Sequence, residues 1–197
     1  MKNVFFLTLI VIAANSYSQV HLYCKAGGNA AFTNIRQHSS GIKTGIYAGA
    51  GIEINLHPRY GILTELLYSQ KGGVDKQSSG SKLTTSLDYL TIPVLFYYKL
   101  TENLNIHAGP ELAFLVKARA NSGSNSMDIK NIYESFDKAV ALGLGYSFGK
   151  FALDIRFVKG LNGLLSITTS DTYGNNYGTE KTGSNNTLQF GVHYTIF

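Results

Sequence analysis

"LQFGVHYTIF", Leu188 to Phe197, alternates strictly: Leu188, Phe190, Val192, Tyr194 and Ile196 are large and apolar, while Gln189, Gly191, His193 and Thr195 are polar or small. A period of two is the mark of a β-strand with two unlike faces. Such a strand can bury its apolar face in a soluble core or turn it outward into lipid. The pattern is the same in both cases, so the decision comes from the rest of the chain.

Read outward from this stretch, the same period yields eight candidate strands, near 20–32, 41–56, 60–72, 86–100, 103–119, 138–148, 150–162 and 187–197. Their connections are sorted. "HPR" (57–59), "TE" (101–102) and "GK" (149–150) are short, and they alternate with long polar connections such as "GVDKQSSGSKLTT" (73–85) and "SITTSDTYGNNYGTEKTGSNN" (166–186). An up-and-down barrel puts alternate connections at opposite ends, with short turns at one rim and long loops at the other, the habit of outer-membrane barrels. A Greek-key sandwich has no reason to sort its loops in this way. Between Asp128 and Lys138, Ile129, Ile132, Tyr133 and Phe136 fall at near-helical spacing, which predicts a short helical turn packing as a lid on the barrel mouth.

The two faces favour an apolar exterior. In the second strand Ile42, Ile46, Ala48, Ala50, Ile52, Ile54 and Leu56 oppose Lys43, Gly45, Tyr47, Gly49, Gly51, Glu53 and Asn55; in the sixth, Val140, Leu142, Leu144, Tyr146 and Phe148 oppose Ala139, Ala141, Gly143, Gly145 and Ser147. Glycine weakens a strand and gains nothing facing solvent. The narrow interior of an eight-stranded barrel does need small residues. The large apolar side chains would overfill that interior but suit a lipid-facing belt. Tyr60, Tyr98, Tyr146, Phe148, Phe151, Tyr194 and Phe197 all fall near the short turns or the C-terminus, as an interfacial aromatic girdle would.

Composition bounds the function. Lys2 followed by the apolar "VFFLTLIVIAA" (4–14) and small residues at Ser16 and Ser18 reads as a signal peptide over 1–18, leaving 19–197 as one barrel domain. The apolar run is shorter than the ~20 residues of a membrane-spanning helix. Tyr23 is too bulky for Cys24 to read as a lipoprotein anchor. Without Lys2 the chain holds 16 basic and 12 acidic residues, scattered rather than clustered, so nucleic acid is not an expected partner. A single cysteine makes no internal disulfide, and no Cys/His cluster points to zinc. No cofactor is expected.

The face opposite the apolar one collects Lys25, Lys43, Glu53, Glu65, Lys71, His107, Glu111, Lys117, Asp154, Arg156 and His193. Buried charges must be paired and hydrogen-bonded, so these residues read as a structural salt-bridge network that fills the lumen and leaves no wide pore. An enzyme is not expected. His107 and His193, with Ser166, Ser170 and Ser184 in loops, are candidates by residue type only, and neither G-x-S-x-G nor H-E-x-x-H occurs.

Several stretches resemble the PorT-like outer-membrane β-barrel domain proteins of Bacteroidetes, OmpX- and OmpA-like eight-stranded barrels: "ELLYSQKGG" (65–73), "LDYLTIPVLFYYKL" (87–100), "IHAGPELAFLVKAR" (106–119), "ALGLGYSFGKFALDIRF" (141–157) and "LQFGVHYTIF". The resemblance implies an all-β, closed, eight-stranded antiparallel up-and-down transmembrane barrel in a Gram-negative outer membrane. It implies membrane lipids, lipopolysaccharide and the outer-membrane assembly machinery as partners, with room for an extracellular or secretion-system protein. The family's acid in Y-L-E-I-P and its following lysine are Thr91 and Tyr97 here. The aromatic–x–Phe close of the last strand is also out of step, with Ile196 in register and Phe197 one residue beyond. A structural or surface-interaction role is expected. The alternatives are an accessory role in secretion and, more remotely, a soluble exported β-sandwich or barrel that binds a small ligand.

Overall fold

A computed structural model describes residues 20–35, 38–39, 41–76, 82–122, 125–161, 165–170, 176–182 and 184–196. The expected signal peptide and Phe197 lie outside these residues. Eight long strands form the wall: β1 (Val20–Ile35), β2 (Lys43–His57), β3 (Tyr60–Lys76), β4 (Lys82–Lys99), β5 (Leu104–Ser122), β6 (Phe136–Phe148), β7 (Phe151–Gly160) and β8 (Ser184–Thr195). Each pairs antiparallel with the next, and β8 returns to β1 from Tyr23↔Thr195 to Asn34↔Ser184. The sheet is therefore closed and has no edge, the condition for a sheet in hydrocarbon. One closed sheet also rules out the two-sheet sandwich. Outside the wall are a hairpin, Leu165–Ser170 with Asn176–Thr182, and the short strands His38–Ser39 and Asn125–Asp128.

The short turns are built locally. Gly149 takes φ +65° between β6 and β7, a conformation open to glycine and costly for other residues. At the β4–β5 turn the Thr101 hydroxyl accepts from the backbone N–H groups of Asn103 (3.3 Å) and Leu104 (3.0 Å). Following the pairing round the wall from Ser69 through Tyr47, Gly27, Gly191, Asp154, Gly145, Asn105 and Lys99 leads back to Arg59, ten residues below the start. That stagger is the signature of tilted strands in a closed barrel.

Inside and outside follow the expected alternation. On β7, Ala152, Asp154, Arg156 and Val158 are buried, while Phe151, Leu153, Ile155 and Phe157 are exposed. The outward apolar run is Tyr60–Tyr68 on β3, Leu90–Tyr98 on β4 and Leu188–Ile196 on β8, nine residues each, which matches the ~9–11 residues a tilted strand needs to cross a bilayer. So large a continuous apolar surface is far beyond what a soluble monomer exposes. Beyond this belt β3, β4 and β5 continue for about eight residues on the long-loop side, roughly 25 Å of strand.

At three inward glycines the space a side chain would need is taken by a ring. A Cβ on Gly51 would meet the Tyr23 ring at 2.5 Å, one on Gly191 the Tyr47 hydroxyl at 2.0 Å, and one on Gly143 the His107 ring at 2.3 Å. Each glycine makes room for a lumen side chain from another strand.

Candidate functional site

The lumen holds one charge cluster built from four strands. Arg156 on β7 has no exposed surface and forks onto Glu65 of β3, with Nη1 at 2.7 Å from Oε2 and Nη2 at 3.1 Å from Oε1. Lys25 on β1 bridges the two carboxylates, with Nζ at 3.1 Å from Glu65 Oε1 and 2.7 Å from Asp154 Oδ1. The Tyr23 hydroxyl donates to Glu65 Oε1 at 2.9 Å. His107 Nε2 on β5 stands 3.2 Å from Asp154 Oδ2, and its Nδ1 lies 3.1 Å from Asn105 Oδ1. Two cations face two carboxylates, and a second pair, Lys71 Nζ with Glu111 Oε1 at 2.8 Å, is likewise neutral. In a low-dielectric interior this balance is what keeps buried charge affordable.

Above the charges, toward the long loops, Leu87, Tyr89, Ala113, Leu115 and Ala118 form an apolar plug, with Ile129 and Tyr133 packed on it from the β5–β6 connection. That connection carries a single 3₁₀ turn, Lys130–Ile132, inside the stretch expected to form a short helical turn. It is tied to the wall by Ile129 N–H to the Ala118 carbonyl (3.1 Å), and burial lifts the Tyr133 phenol above its ordinary value. Ile132, expected on the same packed face, is exposed. From the charges, a polar cavity of about 140 Å³ opens toward the short turns; Glu65, Asp154 and Arg156 line its inner end, with Glu53, Tyr97 and His193 also on its wall. The Tyr97 hydroxyl donates to Asn55 Oδ1 there, and the His193 ring lies 4.7 Å from that of Tyr23.

The structure thus brings together Lys25, Glu65, His107, Asp154 and Arg156, and separately Lys71 with Glu111. Glu53 and His193 stand at the short-turn mouth, outside both clusters. Two residues read as inward do not join them. Lys117 is on the outer face: Asp88 pairs with Lys117 but Tyr89 pairs with Leu115, so Val116 is an extra residue in a β-bulge. A bulge reverses the facing of every residue beyond it, and Lys117 and Arg119 are exposed outside the wall. Lys43 is half-buried beside Gln70, Ser86, Asp88 and Arg119 at the upper end of the wall. The consecutive apolar residues Phe114, Leu115 and Val116 were the available sign of the bulge, since they break the alternation. Three tyrosines also line the lumen: Tyr47 and Tyr97 at positions the alternation reads as inward, and Tyr23, which sequence reasoning passed over.

The outer rim at the short turns carries the expected aromatics. Tyr60, Tyr98, Tyr146, Phe148, Phe151 and Tyr194 are all exposed, and they meet in places: Phe151–Tyr194 ring centroids are 5.0 Å apart and Phe148–Phe151 6.1 Å. Among the described side chains no Ser–His pair forms from the candidates. Ser184 and His193 stand nine residues apart on the same strand, about 30 Å, and the side chains of Ser166 and Ser170 are outside those described. Among the described residues no group of three or more His, Cys, Asp or Glu is placed to hold a metal ion.

Comparison with known proteins agrees with this geometry. The profile of the family described as "Outer membrane protein beta-barrel domain" matches residues 13–166. Among solved structures the chain is similar to Neisserial surface protein A, with a TM-score of 0.60, 12% identity, and coverage of 89% of this chain and 97% of that one. It is also similar to Ail, the attachment invasion locus protein of Yersinia pestis, with a TM-score of 0.52, 11% identity, and coverage of 90% and 99%. At such identities the likeness is one of fold. No curated protein matches in sequence.

Proposed function

This chain belongs to the outer membrane protein beta-barrel domain family, and we propose that it is a barrel without a pore, serving a structural or surface-interaction role rather than catalysis. It resides in the outer membrane. The observation that carries the proposal is the fully buried Arg156, forked onto Glu65 in the middle of the lumen with an apolar plug above it. A water-filled channel would leave such a guanidinium solvated. The rigid wall instead presents the extended ends of β3, β4 and β5 and the β5–β6 connection beyond the lipid, a frame on which loops carry recognition.

What supports a PorT-like placement within the family is the resemblance of the stretch Leu87 to Leu100, from which Thr91 and Tyr97 depart at two buried inward positions. A hydroxyl and a phenol there replace the acid and lysine of the motif, so the inner wall keeps its charge balance. An accessory role in secretion rests on that resemblance alone. Incorporation of the purified protein into planar bilayers tests the proposal. No stable conductance steps are expected, and large reproducible steps would overturn the closed lumen.

A further inference from the structure

We propose that the outer wall carries a binding band for phosphate-bearing lipid headgroups, built from Lys117, Arg119, Lys138 and Lys159. The proposal rests on the membrane-barrel reading above and gives the lipid contact expected of such a barrel a defined site on its exterior. The four bases stand on three adjacent strands, β5, β6 and β7, all exposed and all outward. Register fixes them: Lys138 pairs with the outward Leu112, Lys159 with the outward Val140, and the bulge at Val116 delivers Lys117 and Arg119 to the same face. With the stagger of the wall taken into account, all four lie above the level of Tyr68, the upper end of the apolar run on β3, in a band roughly 15 Å deep.

This asymmetry distinguishes the two rims. The short-turn rim of the wall is aromatic, whereas the long-loop rim on this side is basic. Two acids are register partners of these bases. Asp88 is the register partner of Lys117, half-buried and also facing Lys43; Asp128 is the register partner of Arg119 and accepts the Lys130 N–H at 2.9 Å. Among the described residues none of the four bases is in an ion pair. Lys138 instead sits over the Phe136 ring, its Nζ 5.9 Å from the centroid.

What selects a lipid over a soluble anion is the interleaving. Phe114, Val116, Phe157 and Leu161 stand outward between and beside the bases. An anion fixed to acyl chains would lay those chains on the apolar belt while its phosphates reach Lys and Arg. A soluble polyanion would leave the apolar positions unused. Phosphate is the best fit for this set, because an arginine can chelate two of its oxygens and lysines add point charge.

The test uses the folded protein in neutral detergent, titrated with a bisphosphorylated multi-acyl glycolipid of the lipid A type and with its dephosphorylated counterpart. Each base near a charged headgroup layer contributes about fivefold in affinity. The variant Lys117→Ser/Arg119→Ser/Lys138→Ser/Lys159→Ser should therefore bind the phosphorylated lipid at least a hundredfold more weakly, with the wild-type preference for phosphate abolished. Arg59→Gln/Lys150→Gln, which removes two bases at the opposite rim, should bind as wild type. Equal binding by the quadruple variant, or equal binding of the dephosphorylated lipid to wild type, overturns the proposal. So does competition by inositol hexakisphosphate at matched phosphate concentration, because it would make the band a soluble-anion site. Heat-modifiable gel mobility of every variant separates these outcomes from failure of the barrel reading, which would show as loss of the folded band in wild type too.

Discussion

Replacing Arg156 by Met tests the lumen cluster at its centre. The side chain removed is fully buried and holds Glu65 through contacts of 2.7 and 3.1 Å. Without it, Lys25 alone stands between Glu65 and Asp154, and the cluster carries one uncompensated negative charge inside the wall. Breaking a buried pair in this way costs about 3–5 kcal/mol. Glu65→Gln breaks the same pair from the other side, leaving Arg156 with only Asp154 at 3.7 Å, while the amide oxygen can still accept from Tyr23. The double variant restores neutrality, because Lys25 and Asp154 remain paired at 2.7 Å. It should cost no more than either single change, a favourable coupling of at least about 3 kcal/mol. The assay is guanidinium unfolding in phospholipid vesicles, followed by far-UV circular dichroism and gel mobility, since the chain has no tryptophan. Costs that add within about 0.5 kcal/mol would refute the idea that these two residues act as one neutral unit.

Three further outcomes follow from the same geometry. Lys71→Met should destabilise the barrel by about 3–5 kcal/mol, because Glu111 is left buried and unpaired, whereas Lys117→Met on the exposed bulge should change stability by no more than about 0.5 kcal/mol; equal effects in the unfolding assay would place both lysines on one face. Gly51→Val should cost about 1–3 kcal/mol by driving a methyl into the Tyr23 ring, and adding Tyr23→Ala should relieve that clash, a rescue measured as positive coupling in the same titration. Deleting Asn125 to Ser135 removes Ile129 and Tyr133 from the apolar plug, so the folded band should persist but convert at lower temperature, by the equivalent of about 2–4 kcal/mol; an unchanged conversion temperature would mean that the connection does not act as a lid.

How far this was legible in the sequence depends on where in the wall one looks. At the short turns the expected strand ends fall within two residues of the observed ones, because there the apolar alternation runs right to the turn. At the long-loop end six of the eight strands run past the expected limits, as where β3 reaches Lys76 rather than 72 and β4 begins at Lys82 rather than 86, while β2 begins at Lys43 rather than 41 and β7 ends at Gly160 rather than 162. Beyond the lipid both faces of a strand are polar, so the period that marks it vanishes while the backbone pairing continues. The hairpin Leu165–Ser170 with Asn176–Thr182 was hidden for the same reason, within a stretch of Ser, Thr, Gly and Asn. The residues of the lumen cluster could be named from facing alone, but their partners could not. Which carboxylate meets Arg156 depends on the ten-residue stagger around the wall, a property of closure that no single strand encodes. The bulge at Val116 shows the converse. One extra residue reversed the facing of Lys117 and Arg119, and the misfit was visible only as three large apolar residues in a row, Phe114 to Val116.

The most direct test of the account is a cysteine scan along Leu188 to Tyr194 in a Cys24→Ser background, each site carrying a fluorophore, in bilayers of lipids brominated along their acyl chains. If the apolar face meets lipid, quenching is strong at positions 188, 190, 192 and 194 and weak at 189, 191 and 193. Quenching in the opposite phase, or at no position, would contradict it.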